Sequence, residues 1–244
     1  MRITLISDTH TKQLELLWDK TDLPGGDLLI HTGDIMNSGY NVKDITEFCK
    51  WFDSLTQYDA KVFIAGNHDR MFQMSPERAM MEVNSYKWID YLQDEEMSLY
   101  FDGPNGDTPE ENVKIYGSPW QPEFYNWAFN LPRMGEELKA KWAAIPEDTD
   151  ILLTHGPAQG HLDTSGPPYN EPLLGCELLA ARIEEIKPKI HVCGHIHGGY
   201  GYKFHNGTHF FNASILNERY DYVNKPFTFD WNPVTNEITF INEQ

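Results

Sequence analysis

Ile3-Thr4-Leu5-Ile6-Ser7-Asp8-Thr9-His10 joins a short apolar run to a carboxylate and an imidazole. The run has the length of a buried strand, and the polar residues sit where that strand would give way to a loop. The arrangement recurs along the chain. Leu28 to Ile30 precedes Gly33-Asp34, Val62 to Ala65 precedes Gly66-Asn67-His68-Asp69, and Ile151 to Leu153 precedes Thr154-His155-Gly156. Ile190 to Cys193, interrupted by His191, precedes Gly194-His195-Ile196-His197. In open α/β sheets ligands converge at the carboxyl ends of strands. The spacing therefore predicts an α/β protein whose site is assembled from separate strand ends.

Helical patterns fall between these runs. Val42 to Leu55 places Ile45, Phe48, Cys49 and Phe52 on one face, the spacing of an amphipathic helix. Ser75-Pro76-Glu77 reads as a helix start with Ser as N-cap. Gly135 to Ala144 and Cys176 to Ile186 read as further helices, the second with Leu179, Ile183 and Ile186 as its buried stripe and Pro188 as its stop. Met97 to Phe101 and Val113 to Tyr116 read as a strand pair around the turn-rich Asp102 to Asn112. His209 to Asn212, Phe227 to Trp231 and Ile238 to Phe240 read as late strands. Residues 1–244 are expected to form a single domain. Two long irregular stretches, Ser118 to Met134 and Pro157 to Gly175, are read either as pocket walls or as surface packing.

Asp and Glu number 37 against 19 Lys and Arg, a formal charge of −18. Such a surface repels phosphate backbones, so a long nucleic acid is not an expected partner. Cys49, Cys176 and Cys193 are too sparse for a disulfide framework, and buried thiols in a reducing compartment are expected. With no basic-then-apolar leader at Met1 and no apolar run of about 20 residues, the expected location is cytoplasmic, away from membranes. The sequence assigns no oligomeric state.

Seven side chains are candidate ligands for two divalent ions: Asp8, His10, Asp34, Asn67, His155, His195 and His197. Asp8 and His10, one residue apart, would point to the same side of an extended segment, and His195 with His197 would repeat that geometry. Asp34 offers two oxygens for bridging. Oxygen donors mixed with imidazole suit Mn first, with Fe or Zn as alternatives, rather than Ca or Mg. Two divalent ions against two carboxylates leave a centre of about +2, which attracts a phosphate and stabilises charge developing during its displacement. Ions ~3.5–4 Å apart can share an activated water as nucleophile. His68 is left to protonate or hydrogen-bond the leaving oxygen. Asn67, His68 and Arg70 are the candidate substrate-binding residues, Arg70 being either a phosphate grip or a solvated side chain. Asp69 either orients the His68 imidazole or caps the next turn. Trp120, Phe124, Tyr125 and Trp127 read as packing for their loop, with one ring reaching a ligand. His31, His161, His191, His205 and His209 read as packed or surface residues.

Taken together these motifs resemble the calcineurin-like metallophosphoesterase superfamily: Asp-x-His, Gly-Asp, Gly-Asn-His-Asp, a later His and Gly-His-x-His. They span Asp8 to His197, about four-fifths of the chain. The resemblance implies an αββα fold, a two-sheet β-sandwich flanked by helices. It also implies one ion on Asp8, His10, Asp34 and His197, the other on Asp34, Asn67, His155 and His195, and His68 as the catalytic imidazole. Gly117-Ser118-Pro119-Trp120-Gln121-Pro122, His155-Gly156-Pro157 with Leu162-Asp163, and Asn212-Ala213-Ser214 are similar to the metallophosphoesterase-domain (MPPED) branch, generally regarded as metal-dependent phosphodiesterases. Phosphoprotein phosphatases place an Arg soon after Gly-Asp, and Gly33-Asp34-Ile35-Met36-Asn37-Ser38-Gly39 has none.

The expected function is hydrolysis of small phosphodiesters, cyclic nucleotides among them, by a water activated between two metals. A phosphomonoesterase with the same centre is the alternative. A non-catalytic metal-binding scaffold is another reading, which loss of a ligand or of His68 would mark; neither is missing. A nuclease is disfavoured by the acidic balance and the lack of a Lys/Arg stripe.

Overall fold

The computed structural model describes residues 1–16, 23–102, 109–167 and 169–241. In chain order the elements are β1 (Arg2–Ile6), α1 (Gln13–Leu16), β2 (Gly26–His31), α2 (Val42–Ser54), β3 (Tyr58–Phe63), α3 (Arg70–Met74), α4 (Pro76–Val83), β4 (Asp90–Tyr91), β5 (Glu95–Asp102) and β6 (Pro109–Ser118). There follow β7 (Gln121–Pro122), β8 (Asn130–Leu131), α5 (Glu136–Ala143), β9 (Ile151–Thr154), α6 (Glu177–Ile186) and β10 (Ile190–Cys193). A 3-10 turn at His197–Gly199 leads to β11 (Gly201–His205), β12 (Thr208–Asn212), β13 (Phe227–Asn232) and β14 (Glu237–Phe240).

Two six-stranded sheets form, ordered β14-β13-β1-β2-β3-β4 and β11-β12-β10-β9-β6-β5. Strands β1, β2 and β3 run parallel, as do β6, β9, β10 and β12. All their carboxyl ends within a sheet therefore lie on one edge. Period-two alternation sorts the side chains into layers. Ile3, Leu5, Leu28 and Ile30 from one sheet meet Ile115, Ile151, Leu153, Val192 and Phe211 from the other in a core between the sheets. The intervening residues face outward under helices. Leu29 and Phe63 pack with Ile45, Phe48, Cys49 and Phe52 of α2. Tyr116, Leu152 and Phe210 pack with Leu138 and Trp142 of α5 and Leu179 and Ile183 of α6. This is the expected two-sheet sandwich with helices outside both sheets, and each fully buried Leu or Ile in it contributes roughly 1.5–3 kcal/mol.

Several elements differ from the sequence reading. Ser75 sits at the N-cap of α4, but its side chain makes no capping bond. The stretch Ser118 to Met134 is not wholly irregular: β7 and β8 form a short parallel ladder inside it. Strand β6 starts at Pro109, inside the expected turn, and residues 103–108 of that turn lie outside the described residues. Edge strand β11 was not anticipated: Tyr202 and Phe204 alternate with Lys203 and His205, but both rings remain exposed rather than facing a core.

Candidate metal centre

Gly33 turns the chain off β2 with φ 103°, and a Cβ there would come within 2.7 Å of the Gly66 nitrogen and of His155 Nδ1. At Gly194 a Cβ would collide with Ser7 Oγ and Asp8 Oδ2. The glycines ahead of three of the five polar clusters, Gly33, Gly66 and Gly194, thus permit loops from both sheets to close on one another. Asp8 (φ 57°), His10 (43°), Asp34 (58°) and His195 (66°) all have left-handed backbone, a region that Asp and His tolerate better than most residues. The Asp8–His10 and His195–His197 pairs are therefore not on extended chain. Coiled backbone, and for His197 the start of the 3-10 turn, replaces the strand alternation on which their pairing was predicted.

Three clusters of donors result, each with its ligand atoms within 4.8 Å of one another: Asp8, His10 and His197; His10, Asp34 and His68; Asp8, Asp34 and His155. Asp34 Oδ2 lies 3.6 Å from His10 Nε2 and 3.4 Å from His155 Nε2. Its Oδ1 accepts the His68 backbone N–H at 2.8 Å, so one oxygen rather than two faces both imidazoles. Asp8 Oδ1 lies 3.4 Å from His197 Nε2, and Asn67 Oδ1 lies 2.9 Å from His155 Nε2. The His195 ring centroid is 5.1 Å from that of His155; the residue lines a cavity together with Asp34, Asn67 and His197 but belongs to none of the three clusters.

These donors fit a metal. His10, His155 and His197 each set Nδ1 against a backbone carbonyl, of Met36 (3.2 Å), Thr32 (2.8 Å) and Asn217 (2.9 Å) respectively. A carbonyl only accepts, so Nδ1 carries the proton and Nε2 is presented as the ligand atom. His10 Nε2 is buried with no hydrogen-bond partner. Separations of 3.4–3.6 Å match donor–donor edges around an ion with bonds of about 2.0–2.2 Å, roughly 3.0–3.6 Å.

Charge is concentrated here and internally balanced. Burial pushes Asp8 up, but the hydrogen bond and charge of His197, with the charges of His155 and His10, together outweigh it and hold the carboxyl well below its usual range. Burial and then His155 act likewise on Asp34, which is also lowered. Burial opposes the charged form of His155 and His197, yet Asp34 and Asp8 raise each to about 9. Burial drives His10 down to about 4, and burial with the His155 charge drives His195 down to about 3.

Asp69 neither orients His68 nor caps the following helix with its side chain. Its carboxylate accepts N–H bonds from Asp34 (2.9 Å), Ile35 (3.3 Å), Met36 (2.8 Å) and Gly66 (2.7 Å), riveting the loop after β2 to the loop after β3. Burial and then the Asp34 charge push it up to about 7. Two supporting residues had no assigned role from sequence. Ser214 Oγ donates to Asp8 Oδ2 at 2.8 Å, and Asn212 Nδ2 donates to Leu162 O and Ile196 O, fastening the His195–His197 loop. Only their occurrence in Asn212-Ala213-Ser214 hinted at them.

Arg70 is tied to its own neighbourhood. It donates to Asn126 O at 2.6 Å and lies over the rings of Trp127 and Tyr40. Trp127 in turn stacks on His68, centroids 4.0 Å apart, while His68 Nδ1 is bonded to Asn37 O. Trp120 is packing, its Nε1 donating to Asp94. Phe124 meets His195 edge-on and, with Tyr125, lines a cavity of about 440 Å³ over Asp34, Asn67, His68 and His197. Ser165, Tyr169, Glu171 and Leu174 of the second long loop line its other side, so both loops are walls. His31 and His191 are packed, bonded to Thr9 and Thr154, and His209 bonds Tyr202. His161 and His205 instead gather with Glu184. All three cysteines are buried free thiols, and among the described residues no helix is long and apolar enough to cross a membrane.

The family model for calcineurin-like phosphoesterases matches residues 1–199. A human protein named metallophosphoesterase domain-containing protein 1 is 37% identical over 250 residues, covering 94% of this chain and 70% of that protein. A UPF0046 protein of Caenorhabditis elegans is 36% identical over 257 residues, covering 94% of this chain and 60% of its own length. A solved structure from Thermus thermophilus superposes with a TM-score of 0.62 at 14% identity, over 99% of this chain and 98% of that one; it is similar in fold.

Proposed function

The chain belongs to the calcineurin-like phosphoesterase family, and from that premise we propose that it hydrolyses small phosphodiesters, cyclic nucleotides among them, at a centre for two divalent cations. The observation that carries this reading is the position of Asp34 Oδ2 between His10 Nε2 and His155 Nε2. One ion is assigned to Asp8, His10, Asp34 and His197, the other to Asp34, Asn67, His155 and His195. Bound there, two divalent cations (Mn first, Fe or Zn as alternatives) supply Lewis acidity and lower the pKa of water.

The remaining work falls to side chains. Asn37 O fixes His68 Nδ1 as a donor and Trp127 holds the ring plane, which leaves Nε2 to hydrogen-bond or protonate the leaving oxygen. Phe124, Tyr125 and Tyr169 narrow the cavity around the ester substituents. Among the described residues no Lys or Arg lines this cavity, whereas Glu171 and Glu218 do. A diester carries one negative charge and suffers less repulsion there than a monoester dianion, which favours the diester. The buried thiols of Cys49, Cys176 and Cys193 support a reducing, cytoplasmic setting for residues 1–244 acting as one unit.

The test is turnover of bis-para-nitrophenyl phosphate against para-nitrophenyl phosphate with added Mn. Asp34→Ala is expected to abolish diester turnover; an unchanged rate in that variant ends the assignment.

A further inference from the structure

A second gathering of donors lies outside the cavity just described. His161, at the start of the wall loop Pro157 to Gly175, Glu184 on α6 and His205 at the end of β11 bring one ligand atom each to within 4.8 Å of the others. We propose that these three side chains form a site for a single transition-metal ion of the zinc type, which clips the wall loop to α6 and β11.

The three groups approach without satisfying one another. His205 Nε2 is 3.7 Å from Glu184 Oε1, beyond hydrogen-bond length. That distance is close to the donor–donor edge of a tetrahedral ion with bonds of about 2.0–2.2 Å, roughly 3.3–3.6 Å. His161 Nδ1 is shielded from water and has no hydrogen-bond partner. The His161 ring is nevertheless not loose: it stacks on Phe210, a buried residue, with centroids 3.9 Å apart and planes 13° from parallel. Glu184 is oriented by Asn206, whose Nδ2 donates to both carboxylate oxygens at 3.4 and 3.1 Å. Such outer partners fix ligands around a metal. Two imidazoles and one carboxylate are a recurrent zinc set, with a fourth position left for water.

Burial first, then Lys203 and His205, hold His161 below its ordinary value, so the ring is neutral and its lone pair is available. Lys203 donates to Gly160 O at 2.9 Å and leaves Glu184 to Asn206 and His205. The neck of the wall loop is already cinched where Asp163 Oδ2 accepts the N–H groups of Gly160 and Gly175. An ion on His161 would add a tie from this neck to two further elements, and the same loop carries Tyr169 and Glu171 to the cavity.

Zinc counting by elemental analysis at buffered, low-micromolar free zinc tests the proposal independently of the function proposed above. His205→Ala and Glu184→Gln alter exposed side chains, so folded protein is expected, checked by thermal melting. Wild type is expected to retain one equivalent more than either variant, whatever the load of the buried centre, with diester turnover unchanged. Asn206→Ala is expected to bind that equivalent about 10–100-fold more weakly. Equal zinc counts in wild type, His205→Ala and Glu184→Gln overturn the proposal, as does an extra equivalent taken up only at millimolar zinc.

Discussion

At the cavity floor, where Asp34 lines the space, and just beneath it, Asp8, Asp34 and His155 are almost wholly buried, and each is held by a further bond: Ser214 on Asp8, the His68 N–H on Asp34, Thr32 O on His155. At the rim Tyr125 is 83% exposed and Tyr169 66% exposed. Floor side chains have one position because every alternative leaves a buried polar atom unpaired. Rim side chains have no such constraint. The floor is thus built to do one kind of chemistry, and the rim to be changed without losing it.

The widest gap between the two regions is expected from His68→Ala, which should lower kcat for a diester by about 10²–10⁴-fold with metal content unchanged; a kcat within twofold of wild type would remove His68 from the chemistry. Next comes Asp69→Ala. It leaves the N–H groups of Asp34, Ile35, Met36 and Gly66 without their acceptor, and one buried orphan alone costs about 1–3 kcal/mol. Urea denaturation should therefore show a loss of about 3 kcal/mol or more, and a loss below about 1 kcal/mol would mean that the two loops do not depend on this rivet.

A third comparison uses pH. His155 and His197 stand at about 9 in the metal-free protein, above the ordinary 6.5. The stability they lend to the metal-free fold is complete below 6.5 and is lost as pH rises through about 9. The ion on the Asp8 side must displace the His197 proton and the ion on the Asn67 side the His155 proton, so the affinity for each should climb by up to about 10-fold per pH unit as pH rises towards about 9, and level off above it. Calorimetric titration in buffers of different ionisation enthalpy reads the released protons directly; an affinity that is flat with pH would contradict the paired charges. The smallest effect belongs to the rim: Tyr125→Ala should raise KM for an aryl diester only a few-fold and leave kcat alone, since an exposed ring yields at the lower end of the ~1–3 kcal/mol that stacking can supply. A fall in kcat as large as that of His68→Ala would erase the distinction between floor and rim.

The buried parts were the legible ones. Ile3 to Ile6, Leu28 to Ile30, Val62 to Ala65, Ile151 to Leu153 and Ile190 to Cys193 are apolar because they lie inside a sandwich, and the polar residues after them mark where the sheets end. Exposed β11 shows only the brief alternation of Tyr202 and Phe204, because solvent places few demands on a strand that it wets, and β7 and β8, two residues each, are too short to carry a pattern. The roles of Asp69, Asn212 and Ser214 were hidden for another reason. A buried Asp or Ser is defined by its partner, and Ser214 finds its partner 206 positions away. The same holds for His161, Glu184 and His205, which only the packing of β11 beside β12 and α6 over that sheet brings together.

Strand β1 is paired on one side by β13, and Ser214 reaches Asp8 across a separation of 206 residues. During synthesis at about 5–20 residues per second, roughly 10–40 s therefore pass between the emergence of the Asp8 loop and that of the hydroxyl that secures it. The first part of the site to be made is among the last to be locked, and any ion captured by the nascent chain before then is held by an unfinished cage.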